Sequence, residues 1–250
     1  MRIYREADYG AMSRRAAGLI AAEVVRKPAC VLGLATGGTP VGTYEELIAG
    51  CRRGDFSFRE VHTVNLDEYK SLAPDHPQSY RYYMQTHLFD HIDIDPANTH
   101  IPDGLADDAR AECARYDALT ESIGFADLQL LGLGRNGHIG FNEPGDCFRK
   151  ETHVVDLTQS TIDANARFFA HAGEVPRQAL TMGMGCIMAA RRVLLIASGE
   201  EKAEAIYQAV CGPVTPQCPA SILQLHRDVV IVGDATALEK LVKAGVPVCG

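Results

Sequence analysis

No two of the eight cysteines stand in C-x-x-C spacing, which argues against a zinc ribbon and a thioredoxin-type redox motif. No apolar run approaches the length needed to cross a bilayer. The opening Met1-Arg2-Ile3-Tyr4-Arg5 turns polar at once, so no signal peptide is read there. Positive charge is scarce: 24 Lys and Arg stand against 32 Asp and Glu, for a net charge of −8. Such a chain repels nucleic acid and anionic membranes in bulk, although a local positive site can still take a small anion. The pairs Arg52-Arg53 and Arg191-Arg192 do not widen into a basic patch. Repeats, low-complexity runs and linkers are also missing. These absences predict a cytoplasmic protein with reduced thiols and without nucleic-acid or membrane partners.

What is present is an ordinary globular composition, 46% hydrophobic and 22% charged over 250 residues. A chain of this size buries roughly 70–75% of its unfolded surface and needs no staples. Short apolar runs alternate with amphipathic stretches. Helical spacing of Met12, Ala16, Leu19, Ile20 and Val24 predicts a helix over 8–27. The run 29–35 reads as a strand buried on both faces. Further strands are expected over 61–66, 127–133, 192–197 and 228–232. Helices are expected over 41–49, 78–89, 107–123, 200–210 and 235–243. Strands separated by helices predict one α/β domain over 1–250, with a mostly parallel sheet and helices on both faces. Ligands in such folds bind beyond the carboxyl ends of the strands.

Three strand ends carry unusual residues. The first is Leu34-Ala35-Thr36-Gly37-Gly38-Thr39-Pro40. Two glycines allow close backbone approach, and a following helix start favours an anion. Thr36 and Thr39 add hydroxyl donors, and Pro40 suits the first turn of a helix. This turn fits neither G-x-G-x-x-G nor G-x-x-x-x-G-K-[ST]. The plainer reading is a tight turn with Thr39 as helix cap.

The second is Asn65-Leu66-Asp67-Glu68-Tyr69, two adjacent carboxylates ending an apolar strand. Neighbours in a strand face opposite ways, so one can enter a site while the other meets a helix or solvent. A cap or turn explains the same pair.

The third runs from Gly132 to Gly145 and holds five glycines around His138 and Glu143. Histidine is the side chain whose ordinary pKa lies nearest neutral, and a neighbouring carboxylate can orient it. A loop histidine satisfied by its surroundings is the plainer alternative. Arg167 and Lys202 can complete an anion site, or serve as solvated surface charges.

Together, Thr36-Gly37-Gly38-Thr39-Pro40, Asn65-Leu66-Asp67-Glu68-Tyr69 and Gly137-His138-Ile139-Gly140-Phe141-Asn142-Glu143-Pro144 resemble glucosamine-6-phosphate deaminases. So do His76-Pro77-Gln78-Ser79-Tyr80, Ala164-Asn165-Ala166-Arg167-Phe168-Phe169 and Ile222-Leu223-Gln224-Leu225-His226. They keep the family's order and span nearly the whole chain. The resemblance implies a modified Rossmann-type fold, no metal or cofactor, and a small sugar-phosphate substrate. It implies that Asp67 moves a proton between C2 and C1, that His138 opens the sugar ring, and that Glu143 pairs with it. Asn136 stands where some members carry Asp, and can still orient His138 by hydrogen bonds. Thr36, Gly37, Gly38, Thr39, Arg167 and Lys202 match the phosphate site, and about 157–182 matches a helical lid. Members activated by N-acetylglucosamine 6-phosphate carry Arg-x-Lys-Thr where this chain has His153-Val154-Val155-Asp156, so no such activation is expected. Monomer and homo-oligomer both remain open. The rival readings are a phosphogluconolactonase, which a lactone assay separates, and a sugar-phosphate-sensing module, which needs a DNA-binding element and a basic surface.

Overall fold

A computed structural model describes residues 1–165, 169, 171 and 174–249, with side chains for all of these except 160, 164 and 165. The chain starts with β1 (Arg2–Glu6) and α1 (Tyr9–Arg26). The side chain of Asp8 accepts from the N–H of Ala11 and starts α1, whose face of Met12, Ala16, Ile20 and Val24 is buried. Then follow β2 (Val31–Leu34), α2 (Val41–Arg53), β3 (His62–Asn65), β4 (Asp67–Tyr69) and α3 (Tyr80–His87). The middle of the chain holds β5 (Thr99–His100), α4 (Ala109–Ser122), β6 (Leu128–Leu131), β7 (His153–Asp156) and α5 (Gln159–Asn165). The last part is β8 (Gln178–Thr181), α6 (Met184–Ala189), β9 (Arg192–Ala197), α7 (Ala203–Cys211), β10 (Val229–Asp234) and α8 (Glu239–Lys243).

Seven strands form a parallel sheet in the order β1-β10-β9-β6-β2-β3-β5. All four residues of β2 and of β6 are buried, including Gln129 in β6, as expected of largely apolar strands covered on both faces. The chain crosses from β2 outward to β3 and β5, then returns to β6 and moves the other way through β9 and β10. Right-handed crossovers put α1, α2 and α3 on one face and α4 and α7 on the other. The direction therefore reverses between β2 and β6, and a crevice opens beyond their carboxyl ends.

A second, antiparallel sheet of β4, β8 and β7 stands at that end of the main sheet. Only Leu66 separates β3 from β4. Its N–H donates to Leu34 O at 3.2 Å in the main sheet, and its carbonyl accepts from Met182 N at 2.6 Å beyond β8. The small sheet has its own apolar cluster of Tyr69, Phe141, Leu157, Ile162, Val175 and Ala179.

The structure departs from the sequence expectations in four ways. β1, β5, the small sheet and α6 all lie outside the expected set of elements, while α5 falls within the expected helical span 157–182. α2 starts at Val41 with Pro40 at its N-cap and without a side-chain cap bond, so Thr39 is not the cap. Residues 200–202 form a 3-10 turn before α7. α8 begins at Glu239 rather than near Ala235, because the Asp234 carboxylate takes the N–H groups of Thr236 at 3.1 Å and Ala237 at 2.8 Å in a turn.

Candidate active site

All three singled-out strand ends lie on one edge of the sheet, and two of them flank the β2/β6 crevice. Asp67 is the first residue of β4, with only Leu66 between it and the end of β3, so the two carboxylates open a new strand rather than end the apolar one. The adjacent carboxylates part company there. Glu68 turns to the start of α3, where it accepts the N–H groups of Tyr80 and Arg81, each at 2.9 Å, as well as that of Tyr69 at 2.8 Å. Burial lifts its carboxyl, against those three bonds. Asp67 accepts no hydrogen bond from the described residues that compares with these. Burial pushes it up to about 8, and the charge of Glu68 adds to the rise. One carboxylate thus caps a helix while the other is left without such bonds among the described residues.

The loop after β6 is shaped around His138. A Cβ on Gly134 would lie 2.4 Å from three atoms of the imidazole, so only glycine lets the ring pack against that backbone. The same loop is tied by Gly134 N to His138 O at 2.9 Å and Gly137 N to Gly134 O at 3.0 Å. His138 Nδ1 lies 3.4 Å from Glu143 Oε2, an ion-pair distance rather than a formed hydrogen bond. Asn136 joins the two residues. Its Nδ2 donates to Glu143 Oε2 at 2.7 Å, and its Oδ1 accepts from the backbone N of His138 at 3.2 Å. An aspartate at 136 could not make the first of these bonds.

Glu143 is also held from the span 157–182. Thr161 Oγ1, on α5, donates to Glu143 Oε1, and Thr158 Oγ1 lies 3.4 Å from the same atom. Burial alone would lift this carboxyl. Its partners reverse the effect, His138 first and then Thr161 and Asn136, and hold it at about 2.

Thr181 links the Asp67 strand to the loop that carries Glu143. It sits on β8 directly opposite Asp67 in β4, and its Oγ1 accepts the N–H of Phe141 at 3.0 Å. Gly140 comes so close to this point that a Cβ there would be 3.0 Å from Thr181 Oγ1 and 3.5 Å from Asp67 Oδ2. Asn142 pins the loop further, donating through Nδ2 to Ile139 O at 3.0 Å and Met182 O at 2.9 Å. From the other side, Ala220 N donates to Gly137 O at 2.9 Å and Gly145 N to Pro216 O at 3.1 Å. None of Thr161, Thr181 and Asn142 was singled out as a site residue by sequence reasoning. Asn142 lies within the quoted motif of the loop, whereas the contacts of Thr161 and Thr181 span 18 and 40 residues and no local pattern marks them.

Gly132-Leu133-Gly134-Arg135-Asn136-Gly137 also spells G-x-G-x-x-G after a strand. No helix follows it, and the chain runs as loop to β7. The pattern therefore lacks the helix N-terminus that would hold a pyrophosphate.

Thr36, Gly37, Gly38 and Thr39 lie in the turn between β2 and α2. Lys202 ends the 3-10 turn after β9, on the same edge of the sheet, and is half-buried. Arg167 lies outside the described residues. The span 157–182 contains α5 and β8, and Phe169 within it packs edge-on to Tyr69 and stacks on His76. Tyr80 stacks on Phe141 in the same cluster. Three of the motifs far apart in sequence therefore meet over Asp67. Among the described residues, no cluster of three His, Cys, Asp or Glu is placed to hold a metal ion. No helix among them is long and apolar enough to cross a membrane.

The family model of glucosamine-6-phosphate isomerases and 6-phosphogluconolactonase matches residues 6–232. A glucosamine-6-phosphate deaminase of Lachnoclostridium phytofermentans is 55% identical over 232 residues, 93% of this chain and 98% of the relative. That of Geobacillus sp. is 54% identical over 238 residues, 95% of each chain. A solved monomeric glucosamine-6-phosphate deaminase superposes with a TM-score of 0.94 at 48% identity, covering 96% of this chain and all of the other. The 6-phosphogluconolactonase of Trypanosoma brucei shares the fold, with a TM-score of 0.76 at 20% identity.

Proposed function

The chain belongs to the family of glucosamine-6-phosphate isomerases and 6-phosphogluconolactonases, and on that footing we infer that it converts glucosamine 6-phosphate and water to fructose 6-phosphate and ammonia. The observation that carries this reading is the approach of the His138 loop to Asp67 at Gly140. That approach supports a reading in which a ring-opening pair and a base act on one substrate.

The first step moves the C1 hydroxyl proton to the ring oxygen and frees the aldehyde. His138 is the shuttle, with Glu143 and Asn136 fixing its position. Asp67 then takes the C2 proton as a carboxylate and returns a proton to C1. As the C2 proton passes to C1, a proton leaves the C2 ammonium and the C1 carbonyl oxygen gains one; the product is the 2-iminium, and water adds to its C=N bond to release ammonia and leave the ketone. A base lifted to about 8 holds a proton firmly enough to deliver it to C1. The substrate's C2 ammonium favours the ionised form that starts the step. General acid–base steps of this kind are each worth roughly 10²–10⁴-fold. The phosphate, bound by the 36–39 turn with Arg167 and Lys202, positions the reacting carbons from a distance.

Activation by N-acetylglucosamine 6-phosphate is absent in this reading, because the family's basic stretch is replaced by His153–Asp156 in β7. There Asp156 accepts from Gln178 Nε2 at 2.8 Å within the small sheet. All eight cysteines are free, which suits a cytoplasmic setting. The similarity to a monomeric deaminase favours action as a monomer.

The test is release of ammonia and fructose 6-phosphate from glucosamine 6-phosphate, with and without N-acetylglucosamine 6-phosphate, after chelator treatment. Turnover indifferent to both additions is the expected result. No turnover under any of these conditions would sink the reading.

A further inference from the structure

Three tyrosines from three different helices reach the turn between β2 and α2. Tyr44, buried in α2, donates through its hydroxyl to Ala35 O at 2.5 Å. Tyr83 of α3 donates to Gly37 O at 2.6 Å. Tyr9, at the start of α1, donates to Gly38 O at 3.3 Å and accepts from Gly42 N at 2.8 Å. A trans peptide is planar, so its C=O and the N–H of the next residue point in opposite directions. Each carbonyl tied to a tyrosine therefore turns one N–H the other way: those of Thr36, Gly38 and Thr39. None of these three N–H groups donates to a backbone carbonyl among the described residues. Gly37 holds φ +100, the left-handed region, which lets the turn bend between the tied peptides. A Cβ on Gly38 would meet no atom within 4 Å, so that glycine leaves a clear approach to the backbone.

We propose that Tyr9, Tyr44 and Tyr83 are positioning residues for the phosphate subsite. They draw the turn's carbonyls away from the ligand and fix its N–H groups toward the anion. The proposal deepens the deaminase reading and rests on it for the identity of the phosphorylated ligand. An anion is repelled by carbonyl dipoles as strongly as it is attracted by N–H groups, so a turn free to flip its peptides would bind phosphate poorly. The hydroxyls touch the backbone and not the reacting carbons. Their loss should therefore appear in binding rather than in turnover.

The test compares Tyr83→Phe and Tyr9→Phe with Tyr82→Phe. Tyr82 is a neighbour on α3 with an exposed ring. The KM for glucosamine 6-phosphate and the dissociation constant of inorganic phosphate by calorimetry are both measured. The first two variants should raise both by about five- to tenfold, the effect of one hydrogen bond each. Their kcat should stay within about twofold of the parent, and Tyr82→Phe should change neither constant. Unchanged KM and phosphate affinity in both variants would overturn the proposal, as would a loss confined to kcat or to the melting temperature. The calorimetry needs no turnover. Weakened phosphate binding in a protein inactive on glucosamine 6-phosphate would keep the clamp and remove the deaminase reading. Unchanged affinities in an active enzyme would do the reverse.

Discussion

Asp67 is buried and Glu143 half-buried, with most of its side chain covered, yet the first is pushed up to about 8 while the second is held at about 2. Burial pushes both upward, so it cannot account for the difference. Partners can. Glu143 faces an imidazole, an amide N–H and a threonine hydroxyl, all of which favour its charged form. Asp67 has the Glu68 carboxylate as neighbour, while Glu68 absorbs the N–H groups at the start of α3. The two settings suit the different tasks proposed for them. A base that must also give its proton back needs an affinity near working pH. A carboxylate that only orients an imidazole needs to stay ionised throughout.

The largest expected effect separates the two sites by rate and stability together. Asp67→Asn should cut kcat by about 10²–10⁴-fold with KM little changed. It should also stabilise the protein. The folded-state carboxyl lies above its ordinary 3.8, so the parent is most stable below that pH and loses stability as pH rises toward about 8. Asn does not titrate. The melting temperature gap should therefore open from pH 4 upward and level off above about 8. A near-normal rate would remove Asp67 from the base role, and a gap constant with pH would remove the burial argument.

Glu143→Gln should do the opposite to stability. A carboxyl held at about 2 contributes stability above its ordinary 4.5, which is lost as pH falls through about 2. The variant should melt lower than the parent at neutral pH, and the difference should shrink as the pH falls below 4.5. Turnover should drop by about 10²-fold, the lower end for a general acid–base contribution. A variant as stable as the parent at pH 7 would mean that His138, Thr161 and Asn136 do not favour the charge.

The sequence is unequally informative about these two regions. The glycine-rich loop after β6 announces itself, because glycines and polar residues directly after a buried run have few structural uses. His138 and Glu143 could be named from it, and the family resemblance added Asn136. The resemblance also chose Asp67 over Glu68, but the setting of Asp67 could not be read, since Asp67-Glu68-Tyr69 is too short to show the alternation of a strand. Nor could the small sheet be seen: β7 and β8 are four residues each and pair across more than twenty positions. Thr161 and Thr181 lie 18 and 40 residues from the atoms they bind. A lone threonine in sequence gives no sign that its hydroxyl closes a distant network. The literal G-x-G-x-x-G of residues 132–137 shows the converse, a pattern whose meaning depends on the helix that does not follow it.

The smallest predicted effect tests how much of Glu143's low affinity for protons comes from α5 rather than from its own loop. Thr161→Val keeps the size of the side chain and removes the hydroxyl. Thr158 would remain at 3.4 Å, and Asn136 and His138 would be unchanged. A hydrogen bond to a charged group contributes about 1.5–3 kcal/mol, and one pH unit corresponds to about 1.4 kcal/mol. The Glu143 carboxyl, followed directly by carbon NMR, should therefore titrate about one pH unit higher. At pH 7 the rate should fall no more than about threefold, since a carboxyl raised from about 2 by that amount is still ionised. Thr161→Ser should return the titration to its original place by restoring the donor. A Glu143 titration that stays put in Thr161→Val, or that moves equally in Thr161→Ser, would assign the control of Glu143 to His138 and Asn136 alone, and would leave α5 as cover over the carboxylate.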